Sequence, residues 1–112
     1  MEEKKTLENL TMEYQRIREQ MQSVNMQKDR YSSQKTEYGQ AEAEISKAKG
    51  KIYSAVGAVI IEVDKEEAQK QITEKKELIE TRLTILNKQS NTLADKEKQL
   101  REELESILKR DH

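Results

Sequence analysis

Apolar side chains recur at alternating spacings of three and four residues along the first part of the chain. If Leu7 is the first position of a heptad, the fourth position is apolar or aromatic through six heptads: Leu10, Ile17, Val24, Tyr31, Tyr38 and Ile45. The first position begins apolar and then becomes polar: Leu7, Tyr14, Met21, Lys28, Lys35 and Glu42. Such a sustained heptad pattern is typical of a coiled coil. It predicts a helix from about residue 5 to about 49, ending where Gly50, which can become left-handed, follows Lys47 and Lys49.

A second heptad pattern occupies the C-terminal part of the chain. Its strict seven-residue series is Ile72, Ile79, Leu86, Leu93, Leu100 and Ile107, and the positions four residues further on are mixed: Lys76, Leu83, Ser90, Glu97 and Leu104. Asp64 is a good N-cap residue, and Glu66 and Glu67 follow it where acidic side chains favour a first turn. We therefore predict a second helix over about residues 65–110.

Between the two helices lies the most apolar stretch of the chain, residues 51–63, KIYSAVGAVIIEV. Two short runs of β-branched and aromatic residues, separated by Gly57, predict a β-hairpin rather than a helix. Both faces of this hairpin are apolar, and an isolated two-stranded hairpin is marginally stable in water. Because the chain offers no further strands, we expect the hairpin to assemble with strands of other chains.

The two heptad series are complementary when the chain folds back at Gly57. Antiparallel partners then have residue numbers that sum to 114, and each predicted layer contains at least one apolar residue, as when Lys28 faces Leu86. The pattern predicts one domain over residues 1–112, an antiparallel two-helix coiled coil with the hairpin at its head. Wholly apolar layers cluster where the termini meet, with Met12, Met26 and Leu108 off the seam. Exposed apolar surface of this kind marks a binding site.

Composition and charge exclude several function classes. Charged residues make up 38% of the chain, but the 21 basic and 22 acidic residues are interspersed, which favours neither nucleic acid nor a membrane as partner. Cysteine is absent and His112 is the only histidine, so we expect no catalytic residues, no metal site and no cofactor. The lack of cysteine and of an apolar leader favours a cytoplasmic protein.

The hairpin sequence resembles a known family. Residues 52–61, IYSAVGAVII, followed by Asp64, Glu66, Glu67 and Ala68, are similar to the hairpin signature of β-type prefoldin subunits, and the overall pattern looks archaeal. The similarity covers the whole chain, since those subunits also have a helix, one hairpin and a second helix. The α-type subunits carry two hairpins, and this chain has room for one.

The resemblance implies a non-enzymatic co-chaperone that works without ATP. It would be a hexamer of two α-type and four β-type subunits, whose hairpins join into intersubunit β-barrels and whose coiled-coil tips capture unfolded client proteins for a group II chaperonin. The implied oligomerisation residues are Ile52, Tyr53, Val56, Gly57, Val59, Ile60, Ile61 and Val63. The implied client-binding residues are Leu7, Leu10, Met12, Tyr14, Leu100, Leu104, Ile107 and Leu108.

Two simpler interpretations stay open at this point. The whole chain can be a structural coiled-coil spacer or dimerisation module, which needs heptads but no exposed β-hairpin. The apolar residues near the termini can serve only to close the coiled coil, since seam positions are usually core. Phenylalanine is absent, so an aromatic client contact near the tip depends on Tyr14.

Overall fold

The computed structural model describes the backbone of residues 2–110 and the side chains of residues 6–110. Helix α1 spans Glu2–Lys47, strand β1 spans Ile52–Val56, strand β2 spans Val59–Val63, and helix α2 spans Lys65–Arg110. The predicted fold of two long helices with one β-hairpin between them is confirmed. The described residues do not include Met1, Asp111 and His112. The prediction that His112 forms no site therefore concerns a residue outside the described part of the chain. A single domain over residues 1–112 stays a prediction.

The hairpin turns through two residues. Val56 pairs with Val59, and the antiparallel register continues to the pair of Ile52 and Val63. Gly57 has a φ angle of 61°, and it is the one residue with positive φ among those described. A positive φ at the first central position, with a glycine there, is typical of the type II′ turn, whose twist matches that of the strands.

Helix α1 ends by a different device from the one the sequence predicts. Its last helical residue is Lys47, and Gly50 does not adopt the left-handed conformation. Instead, the Lys65 ammonium at the start of α2 donates hydrogen bonds to the carbonyl oxygens of Ser46, at 2.9 Å, and Ala48, at 3.4 Å. Because a cation occupies the C-terminal carbonyls, the helix end needs no left-handed glycine.

The described residues fall into two compact units. The hairpin unit comprises residues 29–84, and the terminal unit comprises residues 1–28 and 85–112. In the hairpin unit, Ile79 and Ala68 are buried, and polar contacts also join α1 to α2. Lys76 Nζ lies 2.9 Å from Glu42 Oε1, and the Arg82 guanidinium donates to the Tyr31 hydroxyl at 3.1 Å.

One seam position of the hairpin unit departs from the heptad pattern. Lys35 is exposed, with its ammonium 3.9 Å from a Glu80 carboxylate oxygen, whereas its neighbour Gln34 and the small Ala41 are half-buried. Burying an ammonium group without close partners is costly, so the lysine lies at the edge of the seam.

The terminal unit follows the predicted heptads closely. Its buried residues are Ile17 and Val24 on α1 and Leu86 and Leu100 on α2, all at predicted seam positions. The Tyr14 hydroxyl donates a hydrogen bond to Glu97 Oε1 at 3.0 Å, which joins the two helices. Within residues 2–110, neither helix has a stretch long and apolar enough to cross a membrane.

Candidate functional site

The first candidate site is the hairpin surface, which we define as Tyr53, Val56, Val59, Ile60 and Ile61. These five side chains are exposed in the chain, and Ile60 reaches 72% exposure. Because these five large side chains lie on only ten strand residues, they leave a contiguous apolar surface exposed to water. Surfaces of this kind on soluble proteins mark interfaces.

The strand register divides the hairpin into two faces, because residues directly opposite each other in an antiparallel pair point to the same side. One face carries the pairs Ala55–Ile60 and Tyr53–Glu62. The other carries three pairs: Ile52–Val63, Ser54–Ile61 and Val56–Val59.

The second face is partly covered by α2. Ile52, Ser54 and Val63 are half-buried, and the Ser54 hydroxyl donates to Gln71 Oε1 at 3.4 Å. The part of the hairpin next to the helices is therefore anchored, whereas the part next to the turn is open on both faces. The sheet has only two strands, so each strand also has one edge with unpaired backbone groups.

The second candidate site is in the terminal unit, where the residues predicted to bind clients differ widely in exposure. Met12 is 62% exposed and Leu108 is 50% exposed. Leu100 is 8% exposed, so it belongs to the core of the coiled coil. The remaining predicted residues are half-buried: Leu7, Leu10, Tyr14, Leu104 and Ile107.

Two of these half-buried residues, Leu10 and Ile107, form the floor of a groove of about 450 Å³. We call it the Leu10 groove. Its polar rim is formed by Glu102, Glu103 and Arg110. The groove is open to solvent and large enough for one or two apolar side chains.

A second groove of about 520 Å³ lies in the same unit, and we call it the Val24 groove. Its apolar residues are Val24, Ile85 and Leu93, and Lys88 stands at its rim. Ile85 is 51% exposed. Sequence reasoning missed this groove. The heptad series marked Val24 and Leu93 as seam residues, but it gave no signal for Ile85, which lies outside both series.

One ion pair shapes the electrostatics of the hairpin unit. The Lys76 ammonium lies against the Glu42 carboxylate, and this hydrogen bond, with the attraction between the two charges, raises the pKa of Lys76 above its ordinary value. Both residues occupy seam positions, one on each helix, so the pair joins α1 to α2 across the seam.

Comparison with known proteins adds to this geometry. The family profile described as prefoldin subunit matches residues 8–111. This chain belongs to the prefoldin family. The crystal structure of the prefoldin beta subunit from Thermococcus strain KS-1 is 28% identical, with a TM-score of 0.86 over 92% of each chain. The predicted β-type assignment is thereby confirmed.

A second solved structure shares the fold. The prefoldin beta2 subunit from Thermococcus strain KS-1 is 24% identical, with a TM-score of 0.55 over 88% of this chain and 99% of the other. The chain matches no individual curated protein. Prefoldins are chaperones, are not known as enzymes, and form complexes with other prefoldin subunits. The exposed hairpin surface and the grooves of the terminal unit are accordingly the sites to consider in a prefoldin subunit.

Proposed function

We propose that this chain assembles with an α-type prefoldin subunit and other β-type copies into a hexamer that captures unfolded proteins without ATP. The hairpins form intersubunit β-barrels, the terminal unit holds the client, and the client passes to a group II chaperonin in the cytoplasm. The observation that carries this proposal is the hairpin surface, with five exposed large apolar side chains on strands that have free edges.

Strand addition is the physical basis of the assembly step. A neighbouring strand would satisfy the unpaired backbone groups at the edge and cover the apolar side chains in one event. Residues 2–110 supply only two strands, so the neighbour comes from another subunit. A coiled-coil spacer has no use for exposed Val56, Val59 and Ile60, which is why we favour the chaperone over the spacer.

The assembly step is tested by Ile60→Asp. A carboxylate at the most exposed apolar position of the hairpin would have to be buried without a partner in a barrel, which is strongly unfavourable. We expect the hexamer formed with an α-type subunit to be lost in native mass measurements. Leu78→Asp is the matched control, because Leu78 is 53% exposed on α2 and lies outside the hairpin. A hexamer that persists in Ile60→Asp contradicts the proposal and favours the spacer.

Client capture by the terminal unit rests on Met12 and Leu108, which are exposed, and on the Leu10 groove. The double variant Met12→Ser, Leu108→Ser should protect a denatured client from aggregation less well, with the hexamer intact. Leu78→Ser is the control, since Leu78 is 53% exposed but lies outside the terminal unit. Equal loss of protection in the control would show that any exposed apolar side chain suffices.

Delivery to the chaperonin requires its own experiment. A fluorescent client bound to the assembled hexamer should transfer to a group II chaperonin when the two complexes are mixed, and a group I chaperonin should serve as the control. Transfer to neither would restrict the function to holding the client.

A further inference from the structure

The Leu10 groove and the Val24 groove are built from equivalent heptad positions of the terminal unit. Several residues of α2 line the Val24 groove, and the residues 14 positions after them line the Leu10 groove. The pairs are Ile85 with Gln99, Lys88 with Glu102, and Leu93 with Ile107. Because this interval is two heptads, both grooves open on the same side of α2.

Helix α1 repeats the relation in the opposite direction, as an antiparallel partner must. Gln20 and Val24 line one groove, and Thr6 and Leu10, which precede them by 14 positions, line the other. This interval corresponds to about 21 Å along the helix axis at about 1.5 Å per residue. An extended polypeptide covers that distance in about six residues.

The two rims carry opposite charge. The Leu10 groove has two carboxylates, Glu102 and Glu103, and one guanidinium, Arg110. The Val24 groove has the ammonium of Lys88 and no carboxylate among its lining residues. A ligand that crosses both grooves is complementary when it is basic at one end and acidic at the other.

We infer that the two grooves together bind one extended segment of an unfolded protein. The segment has two large apolar side chains about six residues apart, a basic residue beside the one in the Leu10 groove and an acidic residue beside the one in the Val24 groove. This inference rests on the proposed client capture and specifies which client segments are held.

Bivalent contact explains how shallow grooves can hold a client. Each groove is open and accommodates only one or two apolar side chains, so each contact alone is weak. When a chain fills one groove, its second apolar side chain is presented to the other at a high effective concentration. An unfolded chain contains many segments with such spacing, so the binding stays general.

The test uses two labelled peptides of identical composition with the full-length chain. Both have a polar background, Lys at one end and Asp at the other; one has its two leucines six residues apart, and the other has them two residues apart. We expect the first to bind about tenfold more tightly or better in fluorescence anisotropy, since only it can fill both grooves. Methyl NMR signals of Leu10 and Ile85 should shift together with the first peptide.

Variants locate the second contact. Ile85→Ser should weaken the widely spaced peptide roughly fivefold, the effect of losing part of one apolar contact, and leave the other peptide unchanged. Leu78→Ser, equally exposed on the same helix but outside the groove, should bind both peptides as the wild type does. Lys88→Glu should shift the preference from the Lys/Asp peptide to one with Lys at both ends.

The inference is overturned if the wild type binds the two peptides with equal affinity or binds neither. It is also overturned if Ile85→Ser binds the widely spaced peptide as tightly as the wild type does. The proposed function is tested separately, by measuring in parallel how well the wild type protects a denatured client from aggregation. If protection persists while spacing has no effect, capture stands and the bivalent arrangement is wrong.

Discussion

The type II′ turn at the end of the hairpin makes Gly57 the most sensitive single position for the hairpin surface. Its φ angle is 61°, and a Cβ added there meets no atom within 4 Å. Replacing it by alanine therefore introduces backbone strain without steric overlap. Holding a residue other than glycine in such a region costs about 2 kcal/mol. A free-energy difference of about 2 kcal/mol changes an equilibrium constant roughly thirtyfold. The hairpin should therefore open about thirtyfold more often in Gly57→Ala than in the wild type.

Hydrogen exchange of the strand amides measures this opening directly, since exchange reports local unfolding. Gly50→Ala is the matched control: it makes the same chemical change, its Cβ also meets no atom within 4 Å, and its φ is not positive. We expect the strand amides of Gly50→Ala to exchange as in the wild type. Equal exchange in Gly57→Ala and Gly50→Ala would refute the assignment of strain to the turn.

Three further predictions concern the helices. Gly39→Ala should raise the free energy of unfolding by about 1 kcal/mol in urea titrations, because Gly39 is within α1 and a Cβ there meets no atom within 4 Å; no gain would contradict a helical Gly39. Lys65→Met should lower the free energy of unfolding by about 1 kcal/mol, because the last carbonyls of α1 lose their hydrogen-bond donor. The control Lys75→Met should leave the free energy of unfolding unchanged. The raised pKa of Lys76 predicts that the stabilising pair with Glu42 is present at neutral pH and is lost as pH rises through that raised pKa; wild type should then lose more stability than Lys76→Met in alkaline urea titrations.

The helices and the hairpin could be predicted from the sequence because each depends on a local, periodic pattern. The heptad series at Ile17, Val24, Leu86 and Leu100 places one residue per two turns on the buried face, and these four residues are buried. Gly57 between two β-branched runs similarly defines the hairpin. Neither inference needs knowledge of contacts between distant residues.

The features that sequence reasoning missed depend on such distant contacts. The end of α1 at Lys47 is stabilised by Lys65, which follows it by 18 positions, and no local pattern announces that contact. The exposure of Lys35 depends on how the neighbouring helix lies against it. The Val24 groove is lined by side chains of both helices, whereas each heptad series is read along one helix alone. The roles of the individual client-binding and oligomerisation residues stay predictions.

The exposed apolar residues of this prefoldin subunit have two different physical causes. On the hairpin, the strand residues next to the turn lie on a two-stranded sheet that no other described residue covers at that end, so apolar residues such as Ile60 are exposed. In the terminal unit, the helices do cover each other along the seam, and the two grooves are each lined by side chains of both helices. The first surface is extensive and suits permanent burial. The second is divided into two separate open grooves, which fits the proposed contacts with many client sequences.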